Sequence, residues 1–165
     1  MAKREDSFNR SGNRDRVNGP ANPEIRFEKA AKALKKAIER NRLGHPIIVE
    51  GLKDVRCLKT LGFVGIIETI NRGWDRSKLI ANLYEKYGDF DSGDGGAPLI
   101  LLMDWDRTGG RLQTSIRNRL ESMDVKVDES LRTCLIKVMK PEGRTVESLE
   151  PHANSLLEKI NSLQE

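Results

Sequence analysis

Apolar residues along the chain alternate between a helical period and short unbroken runs. Phe27, Ala31, Leu34 and Ile38 recur at i, i+4, i+7 and i+11, which predicts a helix over 25–43 with one buried stripe. Lys29, Lys32, Lys36 and Arg40 fall away from that stripe, and Gly44 and Pro46 stop the helix. Ile47-Ile48-Val49 is β-branched and too short for a helix, so it predicts the first strand. Val55, Leu58 and Leu61 return to helical spacing, with Gly62 as the stop. Val64 to Glu68 predicts a second strand. After the loop Asn71-Arg72-Gly73, Asp75 can cap a helix over about 76–87 that buries Leu79, Ile80 and Leu83.

Pro98 to Met103 predicts a third strand. A turn at Gly109-Gly110 then opens a helix that buries Leu112, Ile116, Leu120 and Met123 and carries Arg111, Arg117 and Arg119 on its other faces. Val125 to Val127 and Cys134 to Met139 read as two more short strands, joined by the polar connection Asp128-Glu129-Ser130. Pro141-Glu142-Gly143 is a turn, and Thr145 to Leu149 a helical turn. Pro151 suits the first position of a last helix, with Leu156, Ile160 and Leu163 facing inward. Strands alternating with amphipathic helices predict an α/β fold: a mostly parallel sheet flanked by helices.

Composition narrows the class. A chain of 165 residues suits one domain with an appendage. No apolar run approaches the ~18 residues of a membrane span, and the N-terminus lacks a signal-peptide stretch. The two cysteines, Cys57 and Cys134, have no paired metal spacing and are expected to pack inside; a cytoplasmic location follows as the expectation. Residues 1–24 are nearly devoid of apolar side chains and predict a flexible arm, leaving 25–165 as a single domain. The net charge of +4 is unevenly spread: residues 25–43 hold 7 basic and 2 acidic side chains. That helix is either a solvated face or a phosphate-backbone footprint, in which Lys29 and Lys36 would make contacts. Gly88 to Ala97 places aspartates at 89, 91 and 94 but lacks the downstream bidentate Glu of a calcium loop, so it reads as a mobile acidic surface loop.

The chemistry gathers at two strand ends. Glu50 follows the first strand, and Asp104 and Asp106 follow the third. In a parallel sheet with those strands adjacent, the three carboxylates meet at one edge. Crowded anions either hold protons or share a cation. Mg2+, with Mn2+ as a substitute, suits such a site because it takes few carboxylates and completes its shell with water and phosphate oxygens. Gly51, Gly109 and Gly110 would let backbone approach a phosphate, while Lys53, Arg56 and Arg107 would hold phosphates. The structural alternative is that these acids simply cap helices. Trp105, between the two Asp, is expected in the core by strand alternation. Trp74 lies in a loop near the same edge, while His45 and His152 have no partner in sequence.

Val49-Glu50-Gly51 with Asp54 resembles the first motif of Toprim domains, and Asp104-Trp105-Asp106 with Gly109 resembles their D-x-D-x-x-G motif. The resemblance spans about 46–140 and is nearest the small stand-alone Toprim proteins of archaeal type. It implies a Rossmann-like Toprim fold in which Glu50 is general acid or base and Asp104 and Asp106 coordinate Mg2+. It also implies nucleic-acid processing, most simply phosphodiester cleavage in RNA or DNA by a metal-dependent nuclease. The alternatives are a non-catalytic nucleic-acid-binding or adaptor module, and primase- or ligase-like nucleotidyl transfer. Gly109-Gly110 stands where type IA topoisomerases usually carry Gly-Glu, and no tyrosine nucleophile is evident. The amphipathic terminal helices offer a surface for a protein partner or a homodimer.

Overall fold

A computed structural model of the protein describes residues 22–163. The arm expected over 1–24 lies outside them except at its end, where Pro23 and Glu24 already belong to the first helix. Helix α1 spans Pro23–Arg42. The Asn22 side chain accepts from the Ile25 N–H at 3.0 Å and caps it. There follow β1 (Ile47–Val49), α2 (Leu52–Leu61), β2 (Ile67–Thr69), α3 (Arg76–Tyr87), β3 (Leu99–Leu101), α4 (Arg107–Glu121), β4 (Val127–Asp128) and α5 (Ser130–Val138). A 3-10 helix (Glu147–His152) leads into α6 (Ala153–Ser162).

The strands form one parallel sheet in the order β2-β1-β3-β4. This is an α/β, Rossmann-like architecture, as the alternating pattern predicted. From β1 the chain steps out to β2 on one side, then crosses to β3 on the other. The carboxyl ends of β1 and β3 therefore flank the topological switch point, where connections diverge and leave a crevice. Strand residues alternate between two cores. Ile47, Val49, Ile100 and Leu102 pack with α1, α2, α5 and α6. Ile48, Leu99, Leu101 and Met103 pack with α3 and α4. Burial on both faces explains why the strands read as continuous apolar runs rather than alternating ones. Among the described residues, no helix is long and apolar enough to cross a membrane.

Several local expectations change. Cys134 to Met139 is not a strand: Leu131, Leu135 and Val138 line the buried side of helix α5. A short, dense apolar run cannot separate the two states by period alone. The strand expected at Val64–Glu68 lies at Ile67–Thr69. Asn41 is the reason. Its side-chain oxygen accepts from Gly65 N–H at 2.8 Å, and its amide donates to the carbonyls of Ile66 and His45, so residues 64–66 are held by α1. The expected strand at Val125–Val127 shifts to Val127–Asp128, and Asp128 accepts from Ser130 N–H at the start of α5. Met123 lies beyond the end of α4 and is exposed rather than buried. Pro151 sits inside the 3-10 helix, and α6 begins at Ala153.

Arg40 departs furthest from expectation. Instead of facing solvent with the lysines, it is buried and holds three segments together. Its guanidinium donates to Asp94 at 3.0 Å, Asp128 at 2.7 Å and the Ala97 carbonyl at 2.7 Å. His45 beside it donates from Nδ1 to the Pro98 carbonyl at 3.1 Å. The bond from Arg40 holds the Asp94 carboxyl at about 2. The acidic loop is thus tied down at Asp94 rather than loose. Arg40→Ala is expected to cost about 2–3 kcal/mol, because it leaves the half-buried Asp128 without its cation. Lys36→Ala, on the exposed face of the same helix, should change stability by less than about 0.5 kcal/mol. Urea unfolding of the two variants checks the contrast.

Candidate functional site

The site forms where β1 and β3 run out. Past β3 the chain leaves the sheet at Met103-Asp104, and its backbone groups lose ladder partners. Side chains replace them. Buried Gln113 on α4 accepts from the Met103 N–H at 3.1 Å. Arg132 on α5 donates to the carbonyls of Met103 at 3.1 Å and Asp104 at 3.0 Å. Glu50 Oε2 accepts from the Asp104 N–H at 2.8 Å. Every one of these backbone groups is therefore satisfied, as buried polar groups must be. Glu50, 54 residues away in sequence, meets Asp104 because β1 and β3 are direct neighbours.

Asp104 is held from the other side as well. Its Oδ1 accepts from the Val146 N–H at 2.8 Å. Trp105 locks the same segment in place: its backbone N–H donates to the Arg144 carbonyl at 2.7 Å and its indole N–H to the Gly143 carbonyl at 2.9 Å. The ring lies in the core, as expected, but it packs with Ile100 and Leu102, on the face opposite to the one strand alternation assigns it, because the chain has already left the strand. Asp106 is the N-cap of α4, its Oδ1 accepting from the Gly109 N–H at 2.7 Å. The helix therefore begins at Arg107 and absorbs both glycines, which were expected to form a turn before it. A Cβ on Gly109 would lie 2.0 Å from the Asp104 carbonyl oxygen. Glycine at 109 is what lets α4 pack against the strand end. Gly51 likewise has its N–H occupied, donating to Asp54 at 3.1 Å.

The carboxylates crowd one another. Burial pushes Glu50 up to about 7, against the bond from Asp104 N–H, and the charges of Asp104 and Asp54 add to the rise. Burial likewise raises Asp104; the Val146 N–H opposes this, and the charges of Asp106 and Glu147 reinforce it. Asp54 rises for the same first reason, with Asp104 and Glu147 facing it. Glu50 and Asp104 are in side-chain contact, while Asp106 stands further along as a cap. Among the described residues, no three acidic, histidine or cysteine side chains form a ready ligand set.

One cation is shown against this acidic centre: Arg132, on which Asp104, Glu50 and Asp106 all act. Lys53 and Arg56 are exposed at the start of α2, and Arg107 is exposed in the first turn of α4. Gly110 lies beside Arg132, whose guanidinium end would be 3.7 Å from an added Cβ. Lys29 and Lys36 are exposed on α1, away from these strand ends in sequence. Sequence reasoning missed Arg132, Gln113 and Glu147. Gln113 sits on a helix whose apolar stripe drew attention instead, Arg132 lies in a stretch that the pattern assigns to no element because α5 reads as a strand from Cys134, and Glu147 reaches the site only through the fold. The spacing of Gln113 after Asp106, two turns into the helix that follows the acids, was the one available signal.

An α/β protein with paired carboxylates at the switch point of a parallel sheet is the class that fold and site define. The chain is 30% identical over 136 residues to a UPF0292 protein of Methanosarcina acetivorans, covering 81% of this chain and 86% of that one. It is also 30% identical to a UPF0292 protein of Methanosarcina barkeri, across 79% of this chain and 85% of that one. A UPF0292 protein of Thermoplasma volcanium is 32% identical across 69% of this chain and 87% of its own length. The chain belongs to the UPF0292 family. No family model matches it. A solved structure of an Aquifex aeolicus protein matches with a TM-score of 0.53 at 24% identity, over 72% of this chain and 93% of that one, a likeness of fold.

The crowding has a thermodynamic consequence. A carboxyl whose folded pKa lies above its unfolded value stabilises the fold below the unfolded value and loses that contribution as pH rises through the folded one. For Glu50 the window runs from 4.5 to about 7. Glu50→Gln keeps the acceptor for Asp104 N–H and removes the charge. In EDTA it is expected to match the wild type near pH 4.5 and to exceed it by on the order of 1–2 kcal/mol at pH 8, after discounting for solvent screening. Thermal melts across that pH range check it.

Proposed function

We propose that this protein is a Toprim-type, divalent-metal-dependent phosphodiesterase acting on RNA or DNA. The observation that carries the proposal is the meeting of Glu50 and Asp104 across the switch point, with Glu50 Oε2 2.8 Å from the Asp104 amide nitrogen. The strand–Glu–Gly and strand–Asp-x-Asp-x-x-Gly arrangement of the Toprim motifs supports the same reading.

The donor set fits Mg2+ or Mn2+. Two adjacent carboxylates with raised proton affinity mark a place where positive charge is wanted. Mg2+ commonly takes one or two carboxylates and fills the rest of its shell with water and phosphate oxygens. Glu50 and Asp104 would hold the ion, and Asp106 would join them only by loosening its cap on α4. A bound ion supplies Lewis acidity toward a phosphoryl oxygen and lowers the pKa of water. Glu50, poised near neutrality in the metal-free protein, is suited to carry a proton to or from the reacting oxygen. Arg132 holds the Asp104 peptide in place through both carbonyls and balances the acids from beneath. Lys53, Arg56 and Arg107 give the rim the sign that a phosphate backbone requires.

Labelled single- and double-stranded RNA and DNA, incubated with Mg2+, with Mn2+ and with EDTA, test this directly. Cleavage is expected with either metal and absent in EDTA. Asp104→Asn and Glu50→Gln should each lower it by about 10²–10⁴-fold while leaving the far-ultraviolet circular dichroism unchanged. Binding without product under every condition, or unchanged cleavage in both variants, would overturn the proposal.

A further inference from the structure

The loop joining β2 to α3 lies against the acidic centre. The Asn71 N–H donates to the Glu50 carbonyl at 3.0 Å, continuing the β1–β2 ladder past its last paired residues. Trp74 follows three residues on, within about 11 Å of Asn71 along even a fully extended chain. Its indole is half-buried, whereas Trp105, the other tryptophan of the chain, is buried in the core. Two cations lie on the Trp74 ring: the Arg72 guanidinium carbon at 5.2 Å from its centroid and the Lys78 ammonium at 4.6 Å.

The two cations are held differently. Arg72 donates to the Thr69 carbonyl at 2.7 Å and to the buried Glu68 carboxylate, which also accepts from Lys86 and the Tyr87 hydroxyl. That network fixes Arg72 against the indole. Lys78 is exposed on the first turn of α3, whose cap is Asp75. Its flexible stem can swing from the ring to an incoming phosphate. Over residues 71–78 the loop and helix start carry three basic side chains and one acidic one. A flat aromatic surface, a fixed guanidinium and a movable ammonium, on a loop whose start is bonded to the Glu50 main chain, match an unpaired nucleotide: base on the indole, phosphate on the cations.

We infer that Trp74, with Arg72 and Lys78, is a stacking platform for an unpaired nucleobase, and that the preferred substrate is therefore single-stranded nucleic acid or a single-stranded segment. This rests on the proposed function, and it specifies the substrate class of the same site. A base paired in a duplex keeps its faces against its neighbours and cannot occupy the ring, so the platform discriminates by strandedness and not by sequence.

The test separates binding from cleavage by working in EDTA. Fluorescein-labelled twelve-nucleotide oligothymidylate and oligouridylate are titrated by anisotropy, beside a twelve-base-pair duplex, while tryptophan emission is followed with unlabelled strands. The wild type is expected to bind at least one single strand more tightly than the duplex, with saturable quenching of the half-buried indole. Trp74→Ala should weaken single-strand binding about tenfold and Trp74→Phe should retain most of it. Lys78→Ala should weaken it less and flatten its salt dependence. Thermal melts confirm that the variants fold. Equal affinity of wild type and Trp74→Ala, equal binding of duplex and single strand, or no binding of either single strand would overturn the inference. Cleavage in Mg2+ by Trp74→Ala at the wild-type rate on single strands would overturn it too, while leaving the proposed phosphodiesterase standing.

Discussion

The carboxylate of Glu50 accepts a hydrogen bond from the backbone of Asp104, and the edge of the sheet where β1 and β3 end depends on that contact. It exists because β1 and β3 are sheet neighbours whose following segments turn to opposite faces. The chain beyond β3 must leave the ladder there, and its N–H and C=O groups need partners. Glu50, Gln113 and Arg132 supply them from three separate elements. The same arrangement forces Glu50 and Asp104 together, with Asp54, Asp106 and Glu147 acting on them at short range. Structural satisfaction of the backbone and concentration of negative charge are one event here.

The rest of the fold holds that edge rigid. Two cores clamp the sheet, and the segment from Gly143 to Val146 braces the Asp104–Trp105 peptide through three hydrogen bonds. Gly109 lets α4 press its first turn against the Asp104 carbonyl, so the helix carrying Gln113 starts close enough to reach back to Met103.

Much of this was legible in the sequence because it is local. Ile47-Ile48-Val49 ending in Glu-Gly, Asp75 as a cap, Gly62 in the left-handed conformation that ends α2, and the inward face of the last helix all follow from residues close together. The parallel, doubly covered sheet follows from their alternation. What failed was decided by distant partners. Asn41 ties Gly65 to α1 and shares the Ile66 carbonyl with the Ile47 N–H, which delays the start of β2, and nothing in that stretch announces it. Arg40 looks like one more exposed cation of α1 until the loop at Asp94 and the end of β4 close around it. Cys134 to Met139 carries enough β-branched and apolar residues to pass for a strand, and only the fit of Leu131, Leu135 and Val138 against α1 makes it a helix. At the site, the acids could be named in advance, but Arg132 and Gln113 could not, because their targets are main-chain atoms, which every residue has.

Glu50 and Asp104 share one half-buried space in which burial, aided by neighbouring negative charge, holds back ionisation of both carboxyls. A carbon-13 titration of the assigned Glu50 side-chain carboxyl by NMR, in metal-free protein, reads that suppressed ionisation directly. The account predicts a midpoint near pH 7 that falls when Mg2+ is added. A midpoint at the ordinary glutamate value of 4.5, unmoved by Mg2+, would contradict it.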